Sequence, residues 1–251
     1  MEKNPVLFVH GIGASASIWK KVGFPGRNSY YLSFSNRFGH PQNQATELKS
    51  EIDRIAGAEG QARVVLVCHS MGGLVARKYL SDHFNDHNVE KLVLLSTPNL
   101  GSIGLSFNWL PAIMILVGLL GAPLIWPLFL TLIGVAWELI SYFRGVLLLS
   151  PAAWAMRPKS GFLRELNNQE LPRDVKYVAV LSDTKDLPHR LVNLFFFREG
   201  GDGAVPLSSQ KLSPRCVPNY MDLDYSELQV SLPHFEIPRR AQAAIAQALQ
   251  W

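Results

Sequence analysis

Residues 63–84 (RVVLVCHSMGGLVARKYLSDHF) change hydrophobic period at one junction, and that junction constrains the fold more than any other feature. The run RVVLVC (63–68) is almost continuously apolar, the pattern of a short strand buried on both faces. GGLVARKYLSDHF (72–84) instead spaces its apolar residues as a helix does. A strand buried on both faces needs helices above and below it, so the fragment already implies a layered α/β architecture. Only His69, Ser70 and Met71 separate the two elements. The chain must turn sharply there, with Ser70 at the bend.

The same alternation recurs along the chain. Strands are expected at VLFV (6–9), SYYLSF (29–34), VEKLVLLST (89–97), DVKYVAVLS (174–182) and PNYMDLDY (218–225). Amphipathic helices are expected at ATELKSEIDRIAGAEG (45–60), which stops at glycines, and at IPRRAQAAIAQALQW (237–251). Strands that alternate with helices make a doubly wound α/β fold on a mostly parallel sheet. The 251 residues suffice for one large domain with a full core. The 19 Gly and 16 Pro are scattered, so no low-complexity linker divides it, and no internal repeat is evident.

One segment, 99–161, breaks the alternation. From Ser102 through Trp137 no residue is charged. A transmembrane helix takes about 20 apolar residues, so composition alone would permit a span. The strands on either side belong to one sheet, however, and the chain must return to the side it left. Two crossings and a turn need more than about 40 residues, and Pro111, Pro123 and Pro127 cut the run into shorter helices. Exposing one large aliphatic side chain forgoes about 1.5–3 kcal/mol. A dozen of them in water would exceed a domain's whole stability of about 5–15 kcal/mol. The segment must therefore cover something: a face of the sheet, a sister subunit or a lipid surface. It is expected to form an apolar helical lid, with ordinary buried helices that gate nothing as the alternative, inserted into a core made of residues 1–98 and 162–251.

A formal net charge of +4 arises from dispersed Lys and Arg, with no basic run interleaved with aromatics. That argues against a nucleic-acid partner. Cys68 and Cys216 stand far apart in a chain that needs no disulfide staple, and they read as two small buried hydrophobes. The start, MEKNPVLFVHG, holds too short an apolar run for a signal-peptide core. This reads as an intracellular protein or as a mature form whose signal was removed.

The bend at Ser70 holds a hydroxyl above the sheet and brings the residues two before and two after it close together, so both must be small. Cys68 and Gly72 meet that demand. The free N–H groups opening helix 72–84 point toward Ser70 and favour negative charge there. VHGIGAS (9–15) followed by CHSMGGLVAR (68–77) resembles the α/β-hydrolase superfamily, with Cys68 where its usual G-x-S-x-G pattern has Gly. Within it the chain is similar to bacterial triacylglycerol lipases, to lipase-like carboxylesterases and to the lipase-like enzymes that deacylate glycolipid anchors. The resemblance runs nearly the whole chain in order; the apolar insertion matches only in position and expected role. The early antiparallel strands of some hydrolases are missing, which implies a reduced sheet of about six strands.

The resemblance implies the chain order nucleophile, acid, base. GGDGAVPLSS (200–209) resembles the acid loop of these lipases and nominates Asp202. Asp183, directly after the strand at 174–182, is the alternative acid, with Asp186 close by. LPHFEIP (232–238) nominates His234. The family match makes the backbone N–H groups of Ile12 and Met71 the oxyanion donors, with His10 bracing the loop that starts at Gly11 and His69 fixed beside the nucleophile. Glu236 sits where some bacterial lipases place a carboxylate that helps bind calcium, yet no second ligand is evident, and no metal or other cofactor is expected. The implied activity is hydrolysis of carboxylic esters by a Ser70–His234–Asp202 triad, on a small-molecule ester or lipid with a medium or long acyl chain. Acyl transfer, thioester or amide hydrolysis, and a binding protein that kept the fold are the competing readings. The apolar insertion would serve contact with a lipid surface or dimerisation.

Overall fold

Six parallel strands form one sheet in the order β2-β1-β3-β4-β5-β6. They are β1 (Val6–Val9), β2 (Ser29–Leu32), β3 (Val64–His69), β4 (Val89–Leu95), β5 (Lys176–Ser182) and β6 (Asp224–Val230). The structure, a computed structural model, describes residues 4–20, 22–102, 150–186, 189–190, 193 and 197–250. Successive side chains of a strand point to opposite faces, so each buried strand feeds two cores. Leu7, Val9, Leu66, Cys68, Leu92 and Leu94 pack on one side with α1 (Pro41–Ala58) and α2 (Met71–Asp82). Phe8, Val65, Val67, Val93 and Val180 pack on the other with Trp19 and the C-terminal helix Gln242–Gln250. Double burial is why β1, most of β3 and the second half of β4 (Leu92–Leu95) read as apolar runs.

The last strand departs from expectation. Residues 220–222 form a 3-10 turn, and the strand lies at Asp224–Val230 rather than 218–225. As an edge strand it is exposed along one side, and its DYSELQV sequence alternates accordingly instead of forming an apolar run. Helix α1 begins earlier than its periodicity suggests. His40 Nδ1 accepts the Gln42 N–H at 3.2 Å and Pro41 opens the first turn, a combination that starts a helix without help from hydrophobic spacing.

The chain steps outward from β1 to β2, then back across β1 to β3 and on to β6. The direction of winding therefore reverses between β1 and β3. Open α/β sheets bind ligands beyond the C-terminal ends of the strands at such a reversal. Gly11 follows β1 there, and Ser70 follows β3. Of the expected lid, residues 103–149 lie outside the described residues. Its two flanks meet: the Ser102 N–H bonds to the Met156 carbonyl at 3.0 Å. Ala152, Ala155 and Met156 then pack in the same apolar cluster as α1 and α2. Among the described residues no helix is long and apolar enough to cross a membrane. Cys68 and Cys216 are both free and buried.

Candidate active site

Strand β3 ends at His69 and α2 begins at Met71, leaving Ser70 alone to reverse the chain. Its backbone sits at φ 53° and ψ −124°. A residue with a side chain pays about 1–3 kcal/mol to be held there. The Ser70 N–H is tied to the Leu95 carbonyl of β4 at 2.9 Å, and its carbonyl accepts the Gly73 N–H at 3.0 Å. Three glycines make room for the bend. A Cβ on Gly11 would lie 2.9 Å from Ser70 Cβ and 3.4 Å from its Oγ. One on Gly72 would lie 2.8 Å from the His10 carbonyl oxygen, and one on Gly73 only 2.0 Å from Thr97 Oγ1. The first turn of α2 is thus wedged between the ends of β1 and β4. The crowding at Gly72 comes from Val9 and His10 of the β1 end, which is where its nearest neighbours lie.

The loop after β1 is held by His10. Its Nδ1–H donates to the Gly11 carbonyl at 2.7 Å, and its Nε2 accepts the Phe34 N–H at 3.2 Å. Both ring nitrogens are used by a neutral imidazole, and burial lowers its pKa further below the usual value. The Ile12 N–H finds no acceptor among the described residues. As the first residue of α2, Met71 has no helical partner for its N–H.

His234 lies in a 3-10 turn just beyond β6 and is almost fully buried. Its Nδ1 meets Asp202 Oδ2 at 2.7 Å, and its N–H donates to the Asp202 carbonyl at 3.1 Å. Asp202 is wholly buried, and its Oδ1 accepts the N–H groups of Val205 at 2.8 Å and Ala204 at 3.0 Å. Burial pushes this carboxyl up, but the His234 contact and the two N–H donors outweigh it and hold the pKa below the ordinary value. An ionised carboxylate only accepts, so His234 Nδ1 carries the hydrogen of this contact and turns Nε2 away from Asp202.

His69 joins the two halves. Its Nε2–H donates to the His234 carbonyl at 3.1 Å, and the two rings lie 4.7 Å apart between centroids. Burial, reinforced by nearby His234, lowers its pKa to about 3, so it stays a neutral donor at ordinary pH. Ser70 and His234 therefore share one rim, through the residue next to the first. Ser70 Oγ has no hydrogen bond to a described residue, so Asp202 and His234 are in direct contact while the Ser70–His234 bond is not closed. Side chains commonly complete such a bond only with substrate in place.

Residues 6–234 match the model of a family described as "Alpha/beta hydrolase family". The chain belongs to the alpha/beta hydrolase family. Over 112 residues it is 31% identical to lysosomal thioesterase PPT2-B of Xenopus laevis, a match that covers 41% of this chain and 38% of that protein. The chain thus spans well under half the length of this curated relative. Among solved structures it resembles the mature lipase BlEst2 of Bacillus licheniformis, with a TM-score of 0.69 at 18% identity, covering 99% of this chain and 92% of that one. Phospholipase PlaB of Legionella pneumophila gives a TM-score of 0.63 at 16% identity, covering 100% of this chain and 60% of that one. At these identities the solved structures speak for the fold.

In this α/β hydrolase the remaining candidate residues have other partners. Asp183 is exposed, and its Oδ1 accepts the Gly201 N–H at 3.0 Å, steadying the loop that carries Asp202. Asn193 grips the same loop, donating to the Gly201 carbonyl at 2.7 Å and accepting the Gly203 N–H at 3.1 Å. Asp186 pairs with His189, and Glu236 with Arg240. Among the described residues no cluster of His, Cys, Asp or Glu is arranged to hold a metal. Sequence reasoning passed over Gly73 and Asn193. The Gly-Gly dipeptide was a local signal for the first, whereas nothing near Asn193 marks it.

Proposed function

We propose that this chain hydrolyses carboxylic esters through an acyl-enzyme on Ser70, with His234 as base and acid and Asp202 as its orienting partner. The observation that carries the reading is the Ser70 backbone at φ 53° and ψ −124° between β3 and α2, a strain a structural serine has no need of. His234 Nε2 takes the Ser70 proton as the Oγ–acyl carbon bond forms. Asp202 holds the ring in the Nδ1–H tautomer and stabilises the imidazolium. The N–H groups of Ile12 and Met71 receive the oxyanion, each such donor being worth about 2.7–4 kcal/mol. The acyl C–O bond then breaks, and the alcohol leaves with the proton from His234. Water, deprotonated by the same ring, releases the acid and restores Ser70.

The uncharged stretch from Ser102 to Trp137 favours medium or long acyl chains, or lipids, as substrates. The likeness to a protein named as a thioesterase favours acyl thioesters as a second substrate class, because the same acyl-enzyme forms whichever atom leaves. The test is a chain-length series of p-nitrophenyl esters and matching acyl thioesters on wild type and Ser70→Ala, with and without a lipid interface. Wild type is expected to be labelled by a fluorophosphonate at Ser70 and to prefer octanoate or longer over acetate. Absence of labelling would remove the mechanism, and a preference for acetate would remove the substrate class.

A further inference from the structure

Gln210 is a buried amide at the end of the short helix Leu207–Gln210, and its hydrogen-bonding capacity is used in full. Its Oε1 accepts the Ser182 N–H at 2.6 Å and the Ser96 hydroxyl at 3.2 Å. Its Nε2 donates to the carbonyls of Ser182 and Val205, each at 3.0 Å. Ser182 in turn grips the other arm of the site: its hydroxyl donates to the Leu232 carbonyl and accepts the Leu232 N–H at 3.0 Å. Val205 lies three residues after Asp202 and donates its own N–H to that carboxylate. Leu232 lies two residues before His234. One buried amide and one buried hydroxyl thus join the arm carrying the acid to the arm carrying the base.

We propose that Gln210, acting through Ser182, is a positioning residue that sets Asp202 against His234. The inference rests on the Asp–His pair working as described under Proposed function. A purely structural clasp offers a comparison within the same chain. Asn219 is also buried, accepts the Leu171 N–H at 3.1 Å and donates to the Leu171 carbonyl at 2.8 Å, and its hydrogen bonds reach neither arm. Both amides satisfy backbone groups that would be costly to bury unpaired. Only Gln210 lies between the two catalytic loops.

The full chain is compared with Gln210→Met, Ser182→Ala and Asn219→Ala by thermal melting, by kcat and KM on one p-nitrophenyl ester, and by the rate of fluorophosphonate labelling. A misplacement near 1 Å costs about 10²-fold in rate, so kcat should fall about 10²-fold in Gln210→Met and about tenfold in Ser182→Ala. KM should stay within about twofold, since neither side chain touches substrate. Asn219→Ala should melt earlier with wild-type kcat. Ser182→Ala cuts only the link to Leu232, and it decides the matter should Gln210→Met not accumulate as folded protein. Wild-type kcat and labelling in the folded variants would overturn the brace while leaving the mechanism intact. A wild type that resists labelling would overturn the mechanism, and the brace with it.

Discussion

Replacing Gly11 by Ala tests the active-site geometry with one methyl group. The new carbon would lie 2.9 Å from Ser70 Cβ and 3.4 Å from Ser70 Oγ. Non-bonded carbons rest at about 3.5–4.0 Å, so about 0.6–1.1 Å must be found somewhere. Rotating a side chain cannot supply it, because the nearest atom is a Cβ fixed by the backbone of the bend. Either Ser70 is pushed away or the β1 end retreats, and a retreat carries the Ile12 N–H with it. A displacement near 1 Å costs about 10²-fold in rate, which is about 2.7 kcal/mol and equals the loss of one oxyanion donor. Overpacking costs about 1–3 kcal/mol of stability, and for a chain of this length that lowers Tm by about 2–12 °C. The assay is kcat/KM on a short p-nitrophenyl ester, beside the fluorophosphonate labelling rate and a melting curve. A folded Gly11→Ala protein with kcat/KM and labelling within threefold of wild type would refute the placement of Gly11 against Ser70.

Three further outcomes follow from the same geometry. Ser70→Gly should abolish esterase activity yet raise Tm by about 2–8 °C, because glycine adopts the Ser70 backbone conformation freely and relieves about 1–2 kcal/mol of net strain; an unchanged or lower Tm would argue that the bend is unstrained. Asp202→Asn should keep the fold while kcat falls by about 10³–10⁴-fold, since the amide can donate to His234 and select the wrong tautomer; a loss under tenfold would show that another group orients the ring. His69 has a folded pKa of about 3 against about 6.5 when unfolded. Between those values the unfolded chain binds more protons, so the stability due to neutral His69 is complete above about pH 6.5 and declines as pH falls toward about 3. Urea midpoints at pH 7 and pH 5 should therefore differ less for His69→Gln than for wild type, and equal differences would show that His69 is already neutral when unfolded or protonated when folded.

How much could be read from the residues varies with how local each signal is. The β3–Ser70–α2 junction is written within twenty residues: an apolar run, a polar break and a glycine pair leave one physical arrangement. The central strands were equally plain because burial on both faces makes their sequence continuous. Strand β6 was misplaced by several residues because its edge position gives it one wet side and an alternating, polar sequence. The brace formed by Gln210 and Ser182 had no signature at all. A buried Gln looks like any other Gln until the segments of Ser96, Ser182 and Val205 converge on its amide.

What this sequence determined alone is the central strands and the helices beside them, their parallel layering and the bend at Ser70. Each is encoded by periodicity and turn chemistry among near neighbours. Tertiary structure alone decided which carboxylate meets the His234 ring: Asp202 turns inward at 2.7 Å, while Asp183 holds the same loop from outside. The reason is one of range. Periodicity dictates which side of a strand or helix a residue occupies, whereas the meeting of loops 32 residues apart depends on how the whole sheet twists and closes beneath them.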